Sequence, residues 1–210
     1  MALTDKISDG FIALTNLIKS VKLDTINSRV LLPPKIGASQ KWYQSGLRHG
    51  ADYPYPYVVS TITAGNGVQY FVPFTALENA TITALEISCS SAQANATVNL
   101  GIYESDSNND LSNPLFTSGS IACSTTGAKN APCNVQITKG RVYWLSSLPI
   151  GTPAFHRNYT DSLFPIKGSS IASQAPIIGY YTTGNTGMVQ SAPTKKLNTS
   201  NAPRVMFVVA

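Results

Sequence analysis

From Tyr57 to the C-terminus, apolar side chains recur at every second position in short runs, and Gly, Asn, Ser and Pro break one run from the next. That period belongs to a strand buried on one face and is incompatible with a helix stripe. VVSTIT precedes a turn, AGNG, built of residues that tolerate positive φ. In VQYFVPF, the residues Val68, Tyr70, Val72 and Phe74 share one face. In TITALEISC, Leu85, Ile87 and Cys89 share a face, and Ile82, Ala84, Glu86 and Ser88 take the other. TVNLGIY points Val98, Leu100 and Ile102 inward. LFTSGSIAC, NVQI, RVYWLSS, IIGYYTT and RVMFVVA complete roughly eight or nine short strands, which predicts an all-β β-sandwich or jelly roll.

Two of these strands break the alternation. VYWL and VMFVV are apolar on both parities. A strand wet on one face alternates, so both are expected to be covered twice, by the core on one side and by the arm or a neighbouring subunit on the other. Trp144 shares parity with Val142 and is expected in the core.

The N-terminus reads differently. In KISDGFIALTNLIKSV the apolar residues Ile7, Phe11, Leu14, Ile18 and Val21 are spaced as alternating fours and threes, the a/d pattern of a heptad. Thr4 caps the start, Asp5 and Asp9 lie in the first turns, and Lys19 and Lys22 lie near the end, as the helix dipole favours. Gly10 costs about 1 kcal/mol relative to Ala. So short a seam does not hold a coiled coil together alone, but it suffices once a larger domain brings copies close. The same periodicity also fits a helix packed on its own domain.

Residues 25–56 follow as an extended arm, with Pro33, Pro34 and the Tyr53-Pro54-Tyr55-Pro56 repeat enforcing extended backbone. The predicted organisation is a helix over 1–24, the arm over 25–56 and the sandwich over 57–210. Trp42, Tyr43, Tyr53, Tyr55, Tyr180 and Tyr181 are the candidate surface-binding aromatics. The Tyr-Pro repeat fits a clamp on the edge of the following domain equally well.

Charged residues make up 12% of the chain, about half the usual share, so its surface rests on Ser, Thr, Asn, Gln and Gly. Of the formal +5, residues 1–48 carry +4, through Lys6, Lys19, Lys22, Arg29, Lys35, Lys41 and Arg48 against Asp5, Asp9 and Asp24. These cations suit an acidic partner, but they are scattered and lack interleaved stacking rings, so nucleic acid is not the expected one. No apolar run approaches the roughly 18 residues of a membrane span, and no signal-peptide layout opens the chain, so synthesis in the cytosol without membrane insertion is expected. The N-x-S/T matches at Asn79, Asn95, Asn158 and Asn198 then have no role. Cys89 reads as a core residue. Cys123 and Cys133 flank an apparent hairpin loop, STTGAKNAP, where a disulfide or two reduced thiols both fit; cytosolic folding favours thiols.

Catalytic patterns are absent from the sequence. Asp106-Ser-Asn108-Asn-Asp110 opens like a calcium loop, but Leu111 and Thr117 stand where Gly and Glu are needed, leaving only a looser calcium site or a polar hairpin turn. His49 and His156 each neighbour an Arg, with Asp52 or Asp161 further on, and a hydrolase would have to use them. There is no HExxH, G-x-S-x-G or Gly-rich phosphate loop, and no preferred carboxylate pair. No enzyme activity, cofactor or metal is expected.

The stretch TVNLGIYESDSNNDLSNPLF, followed by VYWLSSL, resembles the β-sandwich domains of tailed-bacteriophage appendage proteins. The shared pattern is an L-x-I-Y strand (Leu100 to Tyr103), a short P-x-L-hydrophobic strand (represented here by Pro114 to Phe116, Pro-Leu-Phe), and a Gly-basic-x-Y-W-L strand (Gly140 to Leu145). The ending APRVMFVVA and the opening LTDKISDGFIALTNLIKSV are similar to the ends of such fibres. The matching pieces cover about two thirds of the chain and lie in framework strands, so no site residue carries over. The resemblance implies a virion protein assembled in the host cytoplasm, commonly a homotrimer anchored by its N-terminus to other virion proteins, often binding host-surface carbohydrate. A tail fibre or tail-tip protein is the expectation. The alternatives are a capsid decoration or head-fibre protein, or a soluble carbohydrate-binding module.

Overall fold

The computed structural model describes residues 42–50, 60–158, 179–191, 195–198 and 201–210, all within one compact unit, Lys41–Ala210. The helical seam at Ile7, Phe11, Leu14, Ile18 and Val21 lies outside the described residues, as do Tyr53 and Tyr55. Among the described residues there is no helix. The strands are β1 (Arg48–Gly50), β2 (Thr61–Thr63), β3 (Gln69–Thr75), β4 (Ala80–Ser91), β5 (Thr97–Ser105), β6 (Leu111–Thr117) and β7 (Ile121–Ala122). They continue as β8 (Gly127–Ile137), β9 (Val142–Ile150), β10 (Ala154–Asn158), β11 (Gly179–Thr182), β12 (Lys196–Asn198), β13 (Ala202–Pro203) and β14 (Val205–Val209).

They form two antiparallel sheets packed as a sandwich. The first runs β1-β14-β4-β10-β13, with β8 on β4 and β2 on β10; the second runs β12-β11-β3-β9-β5-β6, with β7 on β5. The chain crosses between sheets at β2–β3, β3–β4, β4–β5, β7–β8, β8–β9, β9–β10, β10–β11 and β12–β13, so sequence neighbours are seldom sheet neighbours. The shared core takes Leu85, Ile87, Phe155 and Phe207 from the first sheet, and Val98, Leu100, Ile102 and Leu145 from the second. The inward faces expected of β5 and of the C-terminal half of β4 are those observed.

Ile82 departs from its expected face. It is fully buried in the same core as Leu85, three positions on. A β-bulge is the cause. Against β14, Val208 pairs with Ala84 and Val209 with Ile82, leaving Thr83 as an extra residue. One unpaired residue reverses the alternation upstream of it. Thr83 is exposed, and its hydroxyl donates to Val208 O at 3.2 Å.

The doubly apolar strand β9 is indeed covered twice, and the second cover belongs to the same chain. Tyr143 and Leu145 enter the shared core. Trp144 and Leu148 point away from it and join Phe71, Tyr103 and Tyr180 in a second apolar cluster, covered by Met188 and Val189. Trp144 is therefore buried, but in this outer layer. β3 is likewise buried on both faces, with Phe74 inward and Phe71 outward, so the one-sided assignment of VQYFVPF was incomplete. The last strand, β14, is covered fully on one face only; Met206 and Val208 remain half-buried.

A fully buried amide pins the outer layer. Gln69 Nε2 donates to Tyr103 Oη and to Ser146 Oγ, each at 2.9 Å. Its Oε1 accepts from Val189 N at 3.1 Å, and Tyr103 Oη donates to Val189 O at 2.7 Å. Glycine is needed where the same segment meets the preceding turn. Gly67 has φ +67°, and a Cβ there would lie 2.8 Å from Asn185 O.

The three cysteines are free thiols. Cys123 faces Cys89 in the core rather than Cys133, because β8 begins at Gly127 and most of the expected hairpin loop is strand. Burial, with the neighbouring Cys89, pushes the Cys123 thiol up to about 11.

Two outcomes follow from this packing. Gln69→Leu keeps the volume but strands buried polar groups of Tyr103 and Val189, so denaturant titration should show a loss of about 1–3 kcal/mol. At pH 8, Cys123 should resist alkylation in the native protein and react on unfolding. Because its folded value lies above the unfolded one, its contribution to stability is complete below the unfolded value of about 8.5 and falls away as pH rises toward 11. Denaturation midpoints measured across that range check the sign.

Candidate functional site

Among the described residues the first sheet is packed on one face, so the alternate residues of β4 and β14 point outward. Glu86 lies between Asn130 of β8 and Met206 of β14, and Ser88 pairs with Ala128. Around this row the chain brings Arg48 from β1, His156 and Arg157 from β10, and Arg204 from the junction of β13 and β14. Together with Ser60 and Ile87 they line a concavity of about 310 Å³.

Its position follows from the strand pairing. On one edge of β4, β14 pairs with Ile82 to Ile87, and β10 takes over at Cys89. Where the two meet, the last strand leaves β4 for β10: Arg204 N donates to His156 O at 2.9 Å, and Arg157 then pairs with Pro203. The sheet opens at this handover, and Arg157 and Arg204 flank the opening. Arg157 Nε donates to Ser60 Oγ at 2.8 Å.

The lining residues bring three guanidiniums and one carboxylate. The carboxylate is occupied. Glu86 forms an ion pair with Arg48 Nε and accepts from Asn130 Nδ2 at 3.1 Å. Arg48 is 56% exposed and Glu86 12%, so the pair contributes little to stability but holds the carboxylate against one wall. The wall thus sets guanidinium and hydroxyl groups beside one paired carboxylate.

The sequence flagged part of this site for a different chemistry. Arg48 and the His156-Arg157 pair do come together, but His49 does not join them. It lies against the rings of Tyr43, at 5.0 Å, and Phe207, at 5.7 Å. Glu86 and Arg204 were not predicted as site residues; an outward Glu opposite an Arg-containing strand junction becomes visible only once the strands are ordered.

Two proposed surface aromatics are buried, which corrects their reading as available binding rings. Tyr43 is 6% exposed. Its ring packs edge-on to Phe207 at 5.4 Å, its hydroxyl accepts from Leu77 N at 3.0 Å, and its own N donates to Glu78 at 2.8 Å. Residues 42–50 thereby belong to the sandwich and include β1, rather than an arm beside it. Tyr180 is 3% exposed and stacks on Trp144 at 5.1 Å. Trp42 and Tyr181 are half-buried.

The calcium-like loop is a turn that folds on itself. Asp106 Oδ1 accepts from Asn108 N at 2.8 Å and from Asp110 N at 2.9 Å. Asp110 is paired with Lys195 at 2.8 Å, and that ammonium lies 4.6 Å from the centroid of the Tyr180 ring. Among the described residues, no three His, Cys, Asp or Glu side chains group as a metal site. Partial burial alone would raise the Asp110 carboxyl, but the Lys195 ammonium, the Leu111 N–H and the Tyr180 hydroxyl outweigh it and hold the value down to about 2.

Comparison of the chain with protein-family models and with curated proteins finds no match.

The Asp110 value has a measurable consequence. Because the folded carboxyl lies below the unfolded value of about 3.9, the pair's stabilisation is complete above pH 4 and is lost as pH falls toward 2. Asp110→Asn should flatten the stability profile over that interval in acid-unfolding experiments, with little change in the dependence above pH 5.

Proposed function

We propose that the protein is a non-enzymatic virion component of a tailed bacteriophage, a tail fibre or tail-tip protein that assembles through its N-terminal helix as a homotrimer and displays a β-sandwich. One observation carries the reading. Of the three segments that resemble phage appendage domains, two form the β5–β6 hairpin and the third, β9, lies beyond β7 and β8 in sequence, yet β9, β5 and β6 are consecutive strands of one sheet. Within that unit Tyr103 pairs with Trp144 and with Pro114. The motif glycine has a physical role there. Gly140, at φ +82°, turns the chain from β8 into β9, a conformation that side chains disfavour. The resemblance thus follows a spatial unit rather than scattered residues.

Composition supports the same reading. A chain with few charges and a surface of small polar groups suits a protein whose exposed area is shared with neighbours in an assembly. The heptad spacing of Phe11, Leu14 and Ile18 supplies a seam that identical chains share in register.

The test is the mass of the purified full chain by light scattering. Three copies of the 22.4 kDa chain are expected, reverting to one in a Phe11→Asp, Leu14→Asp double variant whose β-sheet circular dichroism is unchanged. A wild-type chain that is monomeric at micromolar concentration overturns the assembly, and a monomer that still binds saccharide would instead be the soluble binding module.

A further inference from the structure

We infer that Cys89 and Cys123 are a dithiol poised to close as a disulfide through the core, joining β4 of the first sheet to the end of β7 in the second. Both side chains belong to the shared core, at 1% and 0% exposure. Two short connections bring them to one corner of the sandwich. Cys89 pairs with Gly127 at the start of β8, and only residues 124–126 separate Cys123 from that strand. From the other side, the β4–β5 turn holds Cys123 by its backbone. Gln93 N donates to Cys123 O at 3.0 Å, and Cys123 N donates to Ala96 O at 2.8 Å. The thiols themselves come within hydrogen-bonding reach of each other, the proximity that a disulfide requires.

Cys133 is excluded from the pair by strand rise. It lies six residues along β8 from Gly127, about 20 Å away in extended backbone, and its thiol donates to Ile82 O at 3.5 Å. A cation stands near the pair instead. Lys129, 8% exposed, donates from Nζ to Thr125 Oγ1 at 2.8 Å, and its charge favours the Cys123 thiolate.

The oxidant is a small-molecule disulfide, such as oxidised glutathione. The Cys123 thiolate attacks one of its sulfurs and releases one small thiol. The Cys89 thiolate then attacks Cys123 Sγ in the mixed disulfide and releases the second. Two protein thiols are oxidised, one small disulfide is reduced, and the two protons leave on the released thiols. Burial of both cysteines confines the exchange to folding, before the sheets close over them. The pair stands on the core alone. A role for the bond in a particle that leaves a reducing cytosol rests on the virion reading, and the two fail separately, because solution mass reports assembly and peptide mapping reports the bond.

The test is refolding of the full chain with oxidised glutathione or with dithiothreitol, followed by digestion after Glu, Lys and Arg. Fragments 87–104, 105–129 and 130–139 then carry Cys89, Cys123 and Cys133 one each. Mass spectrometry should find 87–104 linked to 105–129 in the oxidised sample and separate after reduction, with the same link in a Cys133→Ser variant. The bond closes a loop of about 35 residues and should raise the melting temperature by roughly 5–15 °C over the reduced chain. Unlinked fragments, glutathione retained on either cysteine in place of the link, or a link to 130–139 overturns the proposal, as does a bonded chain that melts no higher than the reduced one. The wild-type digest decides by itself if the variant misfolds.

Discussion

The architecture depends on a sheet that is apolar on both faces. The strands β3, β9 and β5 place Phe74, Leu145 and Leu100 on one side, and Phe71, Trp144 and Tyr103 on the other. Leaving either set in water would forfeit the burial that drives folding, about 1.5–3 kcal/mol for each large side chain. The first sheet covers one side. The chain covers the other with Met188 and Val189, from the segment after β11, so the fold is a two-sheet sandwich with a local third layer. Gln69 links that layer to the sheet through polar atoms with no access to water, which makes the placement specific as well as favourable.

The two sheets consequently do different work. The second is closed on both sides and serves as framework. Among the described residues the first is packed on one side only, and its outward row carries charge at Glu86. Arg48, Glu86, Arg157 and Arg204 gather on that open face, where a strand handover leaves a concavity. Framework and concavity are thereby separated, so residues can vary on one face without disturbing the packed one.

Much of this plan was legible from alternation, and the exceptions have identifiable causes. Val98, Leu100 and Ile102 needed only period two. Ile82 was assigned to the wrong face because the bulge at Thr83 arises from pairing with β14, more than a hundred residues away. Tyr43 and Tyr180 resemble exposed rings in their polar surroundings, yet both are drawn inward by aromatic partners supplied by distant strands, Phe207 and Trp144. Asp106 and Asp110 resemble cation ligands by spacing, and the turn itself together with Lys195 takes up their oxygens.

The amino-acid order by itself determined the secondary structure class, the approximate strands and the double burial of β9. Those properties are local, because side-chain alternation is a geometric property of extended backbone. What fills the second face of β9, and which cations meet around Glu86, was decided only by tertiary structure. Arg48, Glu86, Arg157 and Arg204 come from four separate parts of the chain. Their meeting is set by strand order, which balances every long-range pairing at once and is not encoded in any single stretch.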